Sequence, residues 1–286
     1  MKIIGCMIAY NSEPYVKYAI EGILPYVDHL IIVYGAQKEF SNQVPDNTLN
    51  ICIEYSQERS DKVFLLTGNF DNEAEQRNTY LEFIRKELDC TWMWIIDTDE
   101  FYKSRDVSQI KYCAGLFNKH DVLLYRFVNF YGRIPEGFNW YKVNETGMLK
   151  FIRWRDDLKY HYRQPQTLDN IGDTRHTTLW QNRRKIARVN GACCYHYGHV
   201  ATEENYIRKL MGSCTRDSSN PKKKAFHDGD DDFRREWIKS NYLWFRKNWA
   251  QLLLLNRFRS DHPPQIERLI NDNNYIIKQK GVGSND

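Results

Sequence analysis

The chain has 286 residues, 42% of them hydrophobic and 27% charged, which is the profile of one large folded domain with an appendage and excludes a disordered chain. Lys and Arg total 41 against 37 Asp and Glu, and a net charge of +4 is too small to predict a nucleic-acid partner or an anionic membrane, so partners must be argued from sites. Seven scattered cysteines, Cys6, Cys52, Cys90, Cys113, Cys193, Cys194 and Cys214, have neither zinc-site nor disulfide-scaffold spacing, which points to a reducing compartment and a cytoplasmic protein.

The opening "MKIIGCMIAY" is broken at once by "NSEPY" with no small-residue cleavage site, so it predicts a buried strand over Lys2–Ala9 and not a signal peptide. Tyr15, Val16, Ala19, Ile20 and Ile23 then recur at helical spacing, with Ser12 as N-cap and Pro14 in the first turn. "HLIIVYG", 29–35, is a second strand. Thr48, Leu49, Cys52 and Tyr55 hold one helical face, "KVFLL", 62–66, is a third strand, and 73–88 is a helix presenting Tyr80, Leu81, Ile84 and Leu88. "TWMWII", 91–96, is a fourth strand. No apolar run reaches the roughly 18 residues that cross a bilayer. Continuous apolar strands alternating with helices imply an α/β fold with a Rossmann-like, mostly parallel sheet covered on both faces.

Ligands of such sheets gather beyond the carboxyl ends of the strands. The fourth strand ends there in "WMWIIDTDEFY", with Asp97, Asp99 and Glu100 within four positions, and "AYNSE" and "YGAQ" are expected to face the same crevice. Two aspartates in D-x-D spacing suit a hard divalent ion that also binds substrate phosphates, one ligating it and the other hydrogen-bonding the ligand. The blander alternative is that one of them caps a following helix, or that both are solvated.

The segments "MIAYNSEPYVKYAIEGILPYVDHLIIV", "AEQRNTYLEFI", "WMWIIDTDEF" and "HYGHV" stand in the order seen in nucleotide-sugar glycosyltransferases of the GT-A type, and look most like the inverting family 2 group. The resemblance covers about the first 130 residues and resumes near 190–210. It implies that Asp97 contacts the nucleotide and that Asp99 ligates Mn²⁺ (or Mg²⁺) on the diphosphate. Ala9, Tyr10 and Asn11 match the loop that lines the base, and Arg77 matches a basic residue that helps hold the nucleotide. At the second strand end the group usually has an acidic residue, whereas this chain has Tyr34 and Gly35. His196 of "HYG" resembles the segment that completes the metal shell, with His199 behind it as an alternative.

The resemblance also implies a nucleotide-diphosphate-sugar donor, a UDP-sugar first, and a glycan or glycolipid acceptor, with no nucleic acid. Inverting transfer needs a carboxylate base for the acceptor hydroxyl. Asp173 and Asp169, in the Gly-containing loop "TLDNIGDTRH", come ahead of Glu145 and Asp157. Metal-dependent nucleotidyl transfer and non-catalytic carbohydrate binding remain as alternatives. The expected organisation is a GT-A domain over 1–212, with a nucleotide-sugar half at 1–128 and the acceptor side and metal-shell completion at 129–212. A mainly helical extension follows at 213–286. Within it, 233–258 reads as a long helix whose tryptophans pack on the domain or a second subunit, or touch a membrane surface beside a lipid-linked acceptor.

Overall fold

A computed structural model describes residues 1–41, 43–133, 140–144, 149–161, 165–166, 186–202, 232, 236, 256–257 and 260–273. The chain divides into two compact units, Met1–Phe127 with Asn144–Tyr195, and Val128–Val143 with His196–Asp286.

In the first unit the expected alternation is realised almost residue for residue. The elements are β1 (Ile3–Ala9), α1 (Val16–Ile23), β2 (His29–Tyr34), α2 (Thr48–Glu58), β3 (Val63–Thr67), α3 (Glu73–Glu87), β4 (Trp92–Ile95), β5 (Glu100–Phe101) and α4 (Ser104–Leu116). β1 pairs in parallel with β2 on one side and β4 on the other, and β3 extends the sheet beyond β2, also in parallel. Cys6 therefore lies opposite both Ile31 and Ile95. Strands covered on both faces have no solvent face to mark with polar residues, which is why they read as unbroken apolar runs.

Beyond β4 the pairing reverses. Later in the chain come β6 (Val122–Arg133), β7 (Trp140–Asn144), β8 (Phe151–Arg153), β9 (Lys159–Tyr160), β10 (Pro165–Gln166) and β11 (Ile186–Ala201). β8 runs antiparallel to β4, with Met93 opposite Ile152, and antiparallel to the start of β6, with Leu123 opposite Phe151. The first unit is thus a mixed α/β structure of Rossmann-like type, parallel over its first four strands, flanked by helices.

One face of the sheet packs Ile4, Cys6, Ile31, Val33, Met93 and Ile95 against Tyr80, Leu81 and Ile84 of α3. Full burial of each large apolar side chain stabilises the fold by about 1.5–3 kcal/mol, so this face supplies much of the force that holds α3 on the sheet. At the start of α3, Asn72 accepts the Glu75 amide at 3.0 Å while the Glu75 carboxylate accepts the Asp71 amide at 2.6 Å, a reciprocal arrangement of the capping-box kind. Its buried face changes along its length: Gln76 and Arg77 come first, then Tyr80, Leu81 and Ile84.

α1 departs from expectation. Ser12 does not cap it; the Ser12 hydroxyl folds back onto Tyr10, its carbonyl accepts the Tyr15 and Val16 amides, and the helix starts at Val16 with Tyr15 in the N-cap position. The hydroxyl is held by the strand end, so the turn at 12–15 replaces the cap.

In the second unit β12 (Asn256–Arg257) pairs antiparallel with β7, Asn256 opposite Tyr141. These two residues are strand where the sequence predicts helix, because the ladder with β7 takes their backbone groups. The rest of the expected helix lies outside the described residues, apart from Glu236, which is helical, as is Asp232 just before the expected start. α5 (Pro264–Asp272) buries Ile266, Leu269 and Ile270. Among the described residues no helix is long and apolar enough to cross a membrane.

Candidate functional site

From β1 the chain crosses outward through β2 to β3, while β4 lies on the opposite flank of β1. The crossover direction changes between β1 and β4, and the crevice outside the carboxyl ends at such a switch is where open α/β sheets bind ligands. Tyr10 and Asn11 leave β1 at this point, Asp97 and Asp99 follow β4, and Tyr34 ends β2 next door.

The segment after β4 closes on itself. The Glu100 amide donates to the Asp97 carbonyl at 3.0 Å, and the Glu100 carboxylate accepts the Asp97 amide at 3.1 Å. Neither aspartate caps a helix, since α4 starts only at Ser104. Glu100 is buried and belongs to the frame of the turn.

Asp97 sits between two buried cations. Arg77 Nη2 donates to one carboxylate oxygen at 2.9 Å and Lys150 Nζ to the other at 2.6 Å. Lys150 also pairs with Glu100 at 2.8 Å, and Arg77 Nε with Glu73 at 3.0 Å. The Arg77 and Lys150 side chains are 6% and 4% exposed, whereas 32% of the Asp97 side chain is open, so the cluster shows one carboxylate to the crevice. Burial works against the Asp97 charge, but the Lys150 ammonium and then the Arg77 guanidinium outweigh it and hold the carboxyl well below its usual range. Burial likewise works against the Lys150 charge, and Asp97 and Glu100 overcome it and raise its pKa.

Sequence reasoning reached Arg77 and Asp97 but missed Lys150. It lies 53 residues from Asp97, between Leu149 and Phe151 in a stretch without clear periodicity. The available signal was a lone Lys inside the short apolar run "MLKFI". Arg77 Nη1 is buried without a hydrogen-bond partner, while its other nitrogens serve Glu73 and Asp97. Its guanidinium also lies over the Tyr160 ring, 5.9 Å from the centroid, so Arg77 ties Asp97 to α3 and to β9.

On the other side of the switch, Asn11 adopts a left-handed conformation with φ of 48°, a backbone region in which Asn is enriched. Its side chain is held by the loop after β2: Nδ2 donates to Gln43 Oε1 and the Val44 carbonyl, both at 3.2 Å, and Oδ1 accepts the Asp46 amide at 2.9 Å. The Tyr10 hydroxyl donates to the Gln43 carbonyl at 3.0 Å, and its ring lies 5.8 Å from that of Tyr34. The two loops are laced into one wall of the crevice. Ala9 is buried at the end of β1 and presents mainly backbone.

Gly35 explains the missing acidic residue. A Cβ there would stand 1.8 Å from the Gly68 carbonyl oxygen, so no side chain fits. The turn is held instead by Gln76, whose amide donates to the Val33 and Gly35 carbonyls at 3.0 and 3.1 Å and whose oxygen accepts from Gln37 at 2.9 Å.

Of the general-base candidates, Asp169, Asp173 and Glu145 lie outside the described residues. Asp157 forms a two-point pair with Arg155, both contacts 2.9 Å.

His196 belongs to the second unit. Its Nδ1 lies 2.8 Å from Asn129 Oδ1, within hydrogen-bond distance. His199 stacks on Tyr131 at 4.8 Å and meets His196 edge to face at 5.6 Å. Deeper in this unit, Phe130 and Tyr197 stack at 4.4 Å, and the Tyr197 hydroxyl is 2.6 Å from His262 Nδ1. Among the described residues no group of three or more His, Cys, Asp or Glu is gathered as a metal shell. Cys193 and Cys194 are unpaired, and Cys194 is fully buried as a packing residue.

No protein-family model matches the chain, and no curated protein matches it. Among solved structures it is similar to S. aureus TarS 1–349, at 14% identity and a TM-score of 0.40, covering 95% of this chain and 80% of that one. The same TarS fragment in complex with UDP aligns at 19% identity and a TM-score of 0.31, over 46% of this chain and 36% of that one. A mannose-6-phosphate isomerase from Helicobacter pylori aligns at 16% identity and a TM-score of 0.31, over 44% of this chain and 51% of that one. In the last two alignments the chain spans about a third and about half of the other's length. Likenesses this loose carry no statement about activity.

Proposed function

We propose that the chain is a metal-dependent glycosyltransferase that moves a sugar, with inversion, from a nucleotide-diphosphate sugar to an acceptor hydroxyl in glycan or polysaccharide synthesis. The observation that carries this reading is the switch-point carboxylate Asp97, held ionised by Arg77 and Lys150 and open on one side, with Asp99 two residues further on. A fixed anion there can accept hydrogen bonds from ribose or sugar hydroxyls without reorganising as the ligand arrives. The laced wall of Tyr10, Asn11, Gln43 and Tyr34 offers aromatic faces and backbone groups to a base.

Asp99 and His196 would hold Mn²⁺ (or Mg²⁺). A carboxylate oxygen and an imidazole nitrogen suit Mn²⁺, and the Asn129 contact orients the ring, as outer contacts of metal ligands do. When bound, the ion supplies positive charge to the diphosphate. In the reaction the acceptor oxygen attacks the anomeric carbon, the bond to the diphosphate oxygen breaks, and the hydroxyl proton passes to a carboxylate, for which Asp173 and Asp169 are the candidates. The donor is a UDP-sugar first and the acceptor a glycan or glycolipid.

A melting-temperature panel of UDP-, GDP-, CMP- and dTDP-sugars with and without Mn²⁺ tests the reading. A donor at about 100 times its Kd stabilises by about 2.7 kcal/mol, a rise of a few degrees. One nucleotide class should raise the melting temperature in a Mn²⁺-dependent manner; no response to any donor would count against it.

A further inference from the structure

We infer that Lys150 is a built-in counter-cation that occupies the space between Asp97 and Glu100, and so keeps those two carboxylates from acting as a divalent-cation pair. Its ammonium is 2.6 Å from an Asp97 oxygen and 2.8 Å from a Glu100 oxygen, a bridging position between the two side chains. The remaining oxygens have other duties: one of Asp97 receives Arg77, and one of Glu100 accepts the Asp97 amide. The Lys150 carbonyl accepts the Ile95 amide at 2.7 Å, so its backbone is tied to the end of β4 and the ammonium is placed by the sheet itself.

A D-x-D-E segment would otherwise put three carboxylates within four residues, and a hard cation favours a site with more carboxylate charge. With Lys150 in place, Asp97 and Glu100 are compensated by protein charge at every metal concentration. Lys150 is accordingly a positioning residue: it holds Asp97 for the ligand and leaves the metal to the remaining donors. The inference rests on the reading that a divalent ion is used at this strand end, and it is indifferent to the sugar, the base and the acceptor.

The test measures Mn²⁺ affinity and melting temperature of the full chain without nucleotide, for the wild type, Lys150→Met, Lys150→Arg, Glu100→Gln and the double variant Lys150→Met/Glu100→Gln. Lys150→Met should bind Mn²⁺ about tenfold tighter than the wild type or better, the scale on which carboxylate count tunes cation sites. Lys150→Arg should return the affinity to the wild-type value, and the double variant should lose the gain. A Lys150→Met protein with wild-type Mn²⁺ affinity, or a gain that survives Glu100→Gln, overturns the inference. Glu100→Gln alone keeps it testable should Lys150→Met not fold: its Mn²⁺ affinity should equal the wild-type value, and a tenfold loss would identify Glu100 as a ligand and overturn it. A parallel wild-type titration with UDP and Mn²⁺ separates the two readings, because no response there counts against metal-assisted donor binding and leaves the Lys150 comparison standing.

Discussion

The polar groups at the end of β4 and those around His196 and His262 in the second unit are both largely buried, yet they are stabilised in opposite ways. Around Asp97 the groups are charged and paired, with Arg77, Lys150, Glu100 and Glu73 in contacts of 2.6–3.0 Å. Around the histidines they are amide, phenol and imidazole groups stacked on aromatic rings, as in Phe130–Tyr197 and Tyr131–His199. In the first arrangement, losing one partner strands a charge. In the second, the described contacts of each group are hydrogen bonds and ring stacking. A site that must present a fixed anion to a ligand is built in the first way.

The largest effect should come from Lys150→Met, which removes the ammonium that bridges Glu100 and Asp97; breaking a buried pair in this way costs about 3–5 kcal/mol, to be read by chemical denaturation. Its pH dependence sharpens the contrast. The lowered pKa of Asp97 contributes stability above its unfolded value of about 4, lost as pH falls through the folded one. The raised pKa of Lys150 contributes below about 10.4, lost as pH rises through its folded value. Wild-type stability should therefore be flat from pH 5 to 9, whereas Lys150→Met, whose buried carboxylates have lost a cation, should fall as pH rises, so the gap widens toward high pH and closes in acid; a gap that stays open in acid would mean the cluster is not ionised as described.

Tyr197→Phe, which strips the hydroxyl from the buried His262 contact, should cost about 1–3 kcal/mol, read by the same denaturation. A loss as large as that of Lys150→Met would erase the distinction between the two regions. Asp106 offers the smallest test. It is buried, one oxygen accepts the Cys193 amide at 3.1 Å, the other has no partner, and burial raises its pKa. A carboxyl raised in this way is best tolerated below its unfolded pKa and destabilises as pH rises through the folded one. Asp106→Asn should therefore gain up to about 1 kcal/mol over the wild type at pH 8, and the gain should vanish near pH 4.

The β/α half was legible because buried parallel strands announce themselves as apolar runs and α3 keeps Tyr80, Leu81 and Ile84 in register. Asp97 could be placed from order alone, as the polar end of the fourth such run. Lys150 could not, since its partner strand β8 is three residues long and reaches β4 by antiparallel pairing that no local pattern foretells. Gly35 appeared in sequence as a missing acid; the close approach of Gly68, 33 residues on, is a tertiary fact. Ser12 looked like a helix cap and serves the end of β1 instead, a local signal overridden by its neighbour.

The most direct test of the transferase reading is product analysis with the donor that stabilises the protein, comparing wild type with Asp99→Ala. The account predicts Mn²⁺-dependent release of nucleoside diphosphate by the wild type, and none by an Asp99→Ala protein of unchanged melting temperature. Release of pyrophosphate, or undiminished turnover by Asp99→Ala, would contradict it.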